Sequence, residues 1–224
     1  MNMKYTMNKK PSLMSFRLGT LVLALAGLSM LTACVPLVVG GAAAGALVAS
    51  DRRTSGTQLE DETIELRSAS RIRADFGTRV RVNVTSYNRQ VLLTGEVPNV
   101  QDRAAVAQLV GKVDNVESVV NELAVQSSPS LAERSTDLLV TGRIKAALLD
   151  ARDLQANSVK VVTERGVAYL MGRLTAREAE RVTIVVRAVP GVQRVVRIFE
   201  TISEDDLRRL QLPGKTPAAP AARS

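Results

Sequence analysis

Apolar positions change their spacing along this chain, and the changes mark out its elements. Leu18 to Leu31 is apolar or small throughout, and Val35 to Ala49 is a second small, apolar run. Beyond it the pattern becomes periodic. Val80, Val82 and Val84 alternate as a half-buried strand does, and Val91 to Val97 reads as the return strand after a tight turn at Tyr87-Asn88-Arg89. Val106, Leu109, Val110 and Val113 then recur at helical spacing, and a strand begins at Val116. The same sequence of patterns returns later. Val159 to Gly172 aligns without a gap on Val82 to Gly95, and Val189, Val192, Val195 and Val196 match Val113, Val116, Val119 and Val120. Ahead of each hairpin lies a helical stretch, with Arg71-Ile72-Arg73-Ala74 aligned on Arg143-Ile144-Lys145-Ala146.

Each repeat therefore reads helix, strand, strand, helix, strand. A hairpin followed by a helical crossover predicts an α+β fold: two tandem αββαβ modules, each a small three-stranded mixed sheet with two helices on one face. Local signals support the boundaries. Glu164-Arg165-Gly166 suits the second hairpin turn. Thr175-Ala-Arg-Glu178 is a capping box, and Asn99 with Asp102 holds the matching place in the first repeat. Gly191 and its counterpart Asn115 suit a left-handed C-terminal cap of the helix. Gly95 and Gly172 sit where another backbone comes close. The expected division is residues 1–33 as a signal segment, 34–58 as a tether, 59–126 and 131–203 as the modules with 127–130 linking them, and 204–224 as a short helix with a disordered tail.

The first apolar run changes the picture from fold to address. Lys4, Lys9, Lys10 and Arg17 precede it with no acid before Cys34, the only cysteine. A basic start, a short apolar stretch and small residues before a cut describe a secretory signal, and the span is short for a membrane helix. Leu31-Thr32-Ala33-Cys34 resembles the lipobox of bacterial lipoproteins. That resemblance implies that the Cys34 thiol carries diacylglycerol and that cleavage and acylation follow at its amine. Val35 after the cysteine, with no Asp there, resembles cargo sent to the outer membrane. Val35 to Ala49 is then read as a tether at the lipid surface. With its thiol so committed, the chain has no internal disulfide.

Charge and composition narrow the chemistry. The stated net of +8 falls to +4 once the first 33 residues are removed, because they hold four basic residues and no acid. The absence of His removes Ser-His-Asp and Cys-His nucleophile pairs and His-bearing metal sites. No phosphate-binding glycine loop follows a strand, so no cofactor, metal or catalytic residue is expected and the chain is read as non-enzymatic. With no Trp, few aromatics and a modest mature charge, nucleic acid is not an expected partner.

The repeat is similar to the BON domain of bacterial envelope proteins. The resemblance rests on the hairpin, on the Gly that ends its second strand, and on a helix followed by Gly191-Val192-Gln193-Arg194-Val195, with Asn115 in place of Gly in the first copy. A lipobox ahead of two such repeats resembles the outer-membrane lipoproteins of this family. It implies a protein anchored in the outer membrane, facing the periplasm, that maintains the envelope barrier, binds anionic phospholipid through its second domain and gathers at division sites. The charge distribution agrees. Residues 59–126 carry a net of −2 and residues 131–203 a net of +4. The first repeat opens with Glu60, Asp61, Glu62 and Glu65, which an anionic surface repels. In the second, a helix expected over Thr136–Leu149 places Leu138, Leu139, Arg143 and Lys145 off its core stripe. The family's membrane contact falls at the start of this helix, with an aromatic where Leu139 stands. Two alternatives remain open. Leu138 and Leu139 could pack on the first repeat, and the modules could serve as an adaptor for an outer-membrane assembly or peptidoglycan-remodelling machine.

Overall fold

The computed structural model describes residues 51–127 and 130–211, apart from the Gln211 side chain. The signal segment, Cys34, the tether up to residue 50 and the tail from residue 212 lie outside the described residues. The described residues all fall within one compact unit of the chain.

Each helix of the first module is opened by a side chain that captures an otherwise unpaired N–H. Thr54 accepts from the Thr57 amide to open α1 (Ser55–Phe76), and Asn99 accepts from Asp102 to open α2 (Val100–Gly111). Between them, β1 (Arg81–Tyr87) and β2 (Gln90–Val97) form an antiparallel hairpin. After α2 the chain runs parallel to β2 as β3 (Ser118–Asn121) and β4 (Ala124–Val125). Both keep the same register against β2, so they are one strand interrupted at Glu122 and Leu123. The second module repeats this order. It has α3 (Leu131–Asp150), a 3-10 turn at Ala156–Ser158, β5 (Val159–Glu164), β6 (Val167–Leu174), α4 (Ala176–Arg187) and β7 (Arg194–Thr201). A short α5 (Glu204–Gln211) follows, with Ser203 accepting from the Asp206 amide. In both sheets the second hairpin strand is central.

The glycine reading holds at both strand ends. A Cβ on Gly172 would sit 2.6 Å from the Ser158 carbonyl oxygen, and one on Gly95 would overlap the Arg81 carbonyl. Asn115 and Gly191 take positive φ, 66° and 98°. They lie four residues beyond the last helical residue, so they turn the chain into the next strand instead of capping the helix.

Two points of the sequence reading need correction. The first is the tether's expected extent to residue 58. The chain is already fixed at Asp51, because Arg52 is only 6% exposed and its guanidinium grips Glu178 at 2.6 and 2.8 Å. The second is the alignment of the leading helices. The inward residues are Asp61, Ile64, Ser68 and Ile72 in α1 and Asp137, Val140, Ile144 and Leu148 in α3. Ile72 therefore corresponds to Leu148, not Ile144. The matched Arg-Ile-basic-Ala strings are one helical turn out of step, since a shift of four residues nearly preserves a helix face.

Each module has its own core between helices and sheet, built around Ile64, Val91, Leu93, Val106 and Val110 in the first and Val140, Ile144, Leu170, Val182 and Val186 in the second. A third core joins them. Tyr87 and Leu92 of the first sheet pack with Tyr169, Met171 and Ile198 of the second. The two sheets thus stack through the faces their helices leave free, in the layer order helices, sheet, sheet, helices.

Candidate functional site: an exposed leucine face on α3

Helix α3 begins at Leu131, five residues before the expected start, because Ser130 and Glu133 form a capping box. The Ser130 hydroxyl accepts from the Glu133 amide, and the Glu133 carboxylate accepts from the Ser130 amide at 2.7 Å. These bonds hold the Glu133 carboxyl below the usual carboxylate range, the Ser130 hydroxyl contributing most. The Ser-x-x-Glu spacing is legible in the sequence, but it lies inside a stretch whose composition reads as a loop.

The extra turn changes the site. Leu131, Leu138 and Leu149 are 76%, 74% and 67% exposed. They are spaced seven and eleven residues apart, so at 3.6 residues per turn they align to within about 20° over roughly 27 Å of helix. Lys145 stands beside this line, and the small Ser135, Gly142 and Ala146, all exposed, leave it unobstructed. The four expected residues therefore divide. Leu138 and Lys145 lie on the leucine line and Leu139 (63% exposed) on its shoulder, while Arg143 lies about 120° round the helix from the line. Arg143 reaches the Pro190 carbonyl at 3.4 Å. Neither leucine packs on the first module, so that alternative fails. Leu131 and Leu149 complete the face; Leu149 falls inside the expected helix on the side of Leu138 and Lys145, whereas Leu131 was missed because its helical turn was not expected.

Around the face the modules are held by ionic and hydrogen-bonded contacts. At the C-terminal end of α3 a cleft of about 460 Å³ is lined by Asp51, Arg53, Tyr87, Lys145, Leu149 and Lys160, among others. The adjacent arginines of residues 52 and 53 diverge there. Arg52 enters the second module and bonds Glu178 and the Arg173 carbonyl at 2.7 Å. Arg53 stays with the first, pairing with Asp51 and Asp61 at 2.7 Å and lying 4.3 Å over the Tyr87 ring. Glu178 is also the capping residue expected from the sequence. Its burial opposes ionisation, but the Arg52 guanidinium and the Thr175 groups outweigh this and hold its carboxyl below the ordinary range.

Of the acids that opened the first repeat, Glu62 is exposed, but Asp61 and Glu65 are committed to other contacts. Asp61 is 1% exposed and accepts from the Ser86 hydroxyl and the amides of Asn88 and Arg89, so it clasps the hairpin turn. Asp137 does the same for Arg165 and Gly166 at 2.8 and 2.9 Å. Glu65 accepts from Lys160 of the second module and from the Ser86 amide, both at 2.8 Å. Glu96, 2% exposed, accepts from Arg81 and from Arg165 across the interface. Among the described residues there is no cluster that could hold a metal ion, and no helix is long and apolar enough to cross a membrane.

The chain matches the BON domain over residues 60–127 and 136–201. It is 35% identical over 185 residues to the outer membrane lipoprotein DolP of Haemophilus influenzae, spanning 82% of this chain and 96% of that one. It is 32% identical over 154 residues to a 21 kDa hemolysin of Actinobacillus pleuropneumoniae, spanning 68% and 79%. Among solved structures it is similar to CdsD, a structural protein of the type III secretion system of Chlamydia trachomatis. There the TM-score is 0.28 and the identity 16%, over 66% of this chain and 99% of that one. With paired BON domains over more than half its length and a relative matched across most of both chains, this chain belongs to the BON-domain family as a dual-BON, DolP-like outer-membrane lipoprotein.

Proposed function

We propose that this lipoprotein, anchored through an acylated Cys34, lays the leucine face of α3 on anionic phospholipid and so helps maintain the outer-membrane barrier, gathering at division sites. The role is non-enzymatic. The observation that carries it is the alignment of Leu131, Leu138 and Leu149 in solvent with Lys145 beside them. An apolar line flanked by basic residues suits the boundary between headgroups and acyl chains.

Magnitudes define what such a face does. Three half-inserted leucines contribute about 1 kcal/mol each. Lys145 near anionic lipid adds roughly 1 kcal/mol. The total, about 4 kcal/mol, corresponds to a dissociation constant of roughly 1 mM. A free protein would be captured weakly, but an anchored one meets lipid at an effective concentration in the millimolar range. The anchor recruits and the helix orients.

The test is co-sedimentation of residues 46–224 with phosphatidylglycerol vesicles, using phosphatidylcholine vesicles as the comparison. Binding should be specific for the anionic vesicles and fall at least tenfold when Leu131, Leu138 and Leu149 are all replaced by Ser. Undiminished binding would remove α3 as the contact. For the anchor, Cys34→Ser should abolish palmitate labelling and release the protein from the membrane fraction. The second reading, an adaptor that docks envelope proteins, is favoured by one observation: an open sheet edge on the first module.

A further inference from the structure

We propose that the groove between α1 and the free edge of β1 is a docking site for an extended basic segment of a partner protein, bound as an added strand. The proposal rests on the adaptor reading and is independent of the lipid-facing helix.

β1 is the outermost strand of its sheet. In its pairing with β2, the two-residue hairpin makes Tyr87 and Gln90 the closing pair. The backbone N–H and C=O groups of Val82, Val84 and Ser86 therefore point away from β2. At Ser86 this edge is closed, because Glu65 accepts from its amide and Lys160 donates to its carbonyl at 3.0 Å. At Val82 and Val84 no hydrogen bond among the described residues takes the outward groups. An unblocked edge is a template for another strand.

The surroundings favour one kind of occupant. Beside these two residues lies an open groove of about 500 Å³ lined by Glu62, Glu65, Leu66, Ala69, Val82, Asn83 and Val84. The charged residues described in its lining are Glu62, which is exposed, and Glu65, which Lys160 pairs at 2.8 Å. Leu66 is 74% exposed and offers an apolar contact to alternate side chains of an added strand. In the sister module the equivalent groove, between α3 and β5, is bordered by the chain's own non-helical residues Asp51 and Arg53. The described residues that line the first module's groove all belong to α1 and β1, and the charged ones are acidic where those of the sister groove are mainly basic.

The test is a titration of isotope-labelled residues 46–224, followed by amide NMR, with a short synthetic peptide alternating Val and Arg and with its Val–Glu counterpart. The basic peptide should shift the Val82, Asn83 and Val84 amides and slow hydrogen exchange at Val82 and Val84. Glu62→Lys, at an exposed position, should keep the dispersed spectrum and weaken binding at least tenfold, and Leu66→Ser should weaken it severalfold. Basic peptide bound with shifts elsewhere and none at β1 overturns this site while leaving the adaptor reading standing. Equal binding of both peptides, or Glu62→Lys without effect, overturns charge selection here. No binding by either peptide at millimolar concentration overturns the site and counts against the adaptor reading too.

Discussion

Asp61 shows how one buried carboxylate organises a module. Burial opposes its ionisation, but the Ser86 hydroxyl, the Arg89 amide, the Arg53 guanidinium and the Asn88 amide together hold it below its ordinary value of 3.8. A depressed carboxylate contributes stability that is complete above its unfolded pKa and lost as pH falls through the folded one. Stability should thus decline as pH drops below about 4, and Asp61→Asn should flatten that part of the profile in urea titrations between pH 3 and 7. At neutral pH, Asp61→Ala removes the acceptor of the Ser86 hydroxyl and of two turn amides, leaves Arg53 with Asp51 alone, and should cost about 3 kcal/mol. Tyr87 and Tyr169 give a second readout. Burial pushes both phenols up to about 12, and they are the only tyrosines of residues 46–224. Absorbance titration should show no tyrosinate near pH 10 while the sheets stay stacked. A step near pH 10 would mean that the stack had opened.

Elements depend on their first and last residues. The Ser130–Glu133 box creates the turn that carries Leu131. Ser130→Ala should cost about 1 kcal/mol of helix stability and weaken lipid contact more than its own exposure would explain. Circular dichroism melts alongside vesicle binding would read both effects. The first hairpin turn places Asn88 and Arg89 at φ 50° and 66°. A non-glycine residue held there loses roughly 1 kcal/mol. Arg89→Gly gives the Asn-Gly pair such turns favour, and should raise stability by about 0.5 kcal/mol after the loss of its surface bonds to Asn115 and Glu117. At this scale the sequence was a good guide. Hairpin position, Glu178 as a cap and the glycines at strand ends are local properties, decided by residues a few positions apart. The alignment of α1 with α3 slipped by a turn because helices repeat nearly every four residues, and a string match cannot tell one turn from the next.

In the whole molecule, the shared core makes the two modules one folding unit. Leu92 is wholly buried, and it faces Tyr169 and Met171 instead of its own helices. Leu92→Ala should therefore cost about 3 kcal/mol and destabilise both modules together, seen as one shifted transition in tryptophan-free probes such as circular dichroism. Two separate transitions would show that the modules fold independently. Glu65 and Glu96 belong to this scale as well, since their partners Lys160 and Arg165 come from the other module.

By itself the sequence determined the repeat, the order of elements, the lipobox and the division of charge between the modules. Each of these is carried by spacing or composition within one stretch of chain. Only the tertiary structure decided that the sheets stack, that Arg52 reaches Glu178, and which leucines of α3 remain in solvent. Alternation identifies a buried position without naming what covers it. The unbroken apolar runs Val91-Leu92-Leu93 and Val167 to Met171 are buried on both faces, and the partner for the second face lies about 80 positions away. Leu138 and Leu139 could equally have filled such an interface. They stand in water because Tyr87, Leu92, Tyr169, Met171 and Ile198 already fill it.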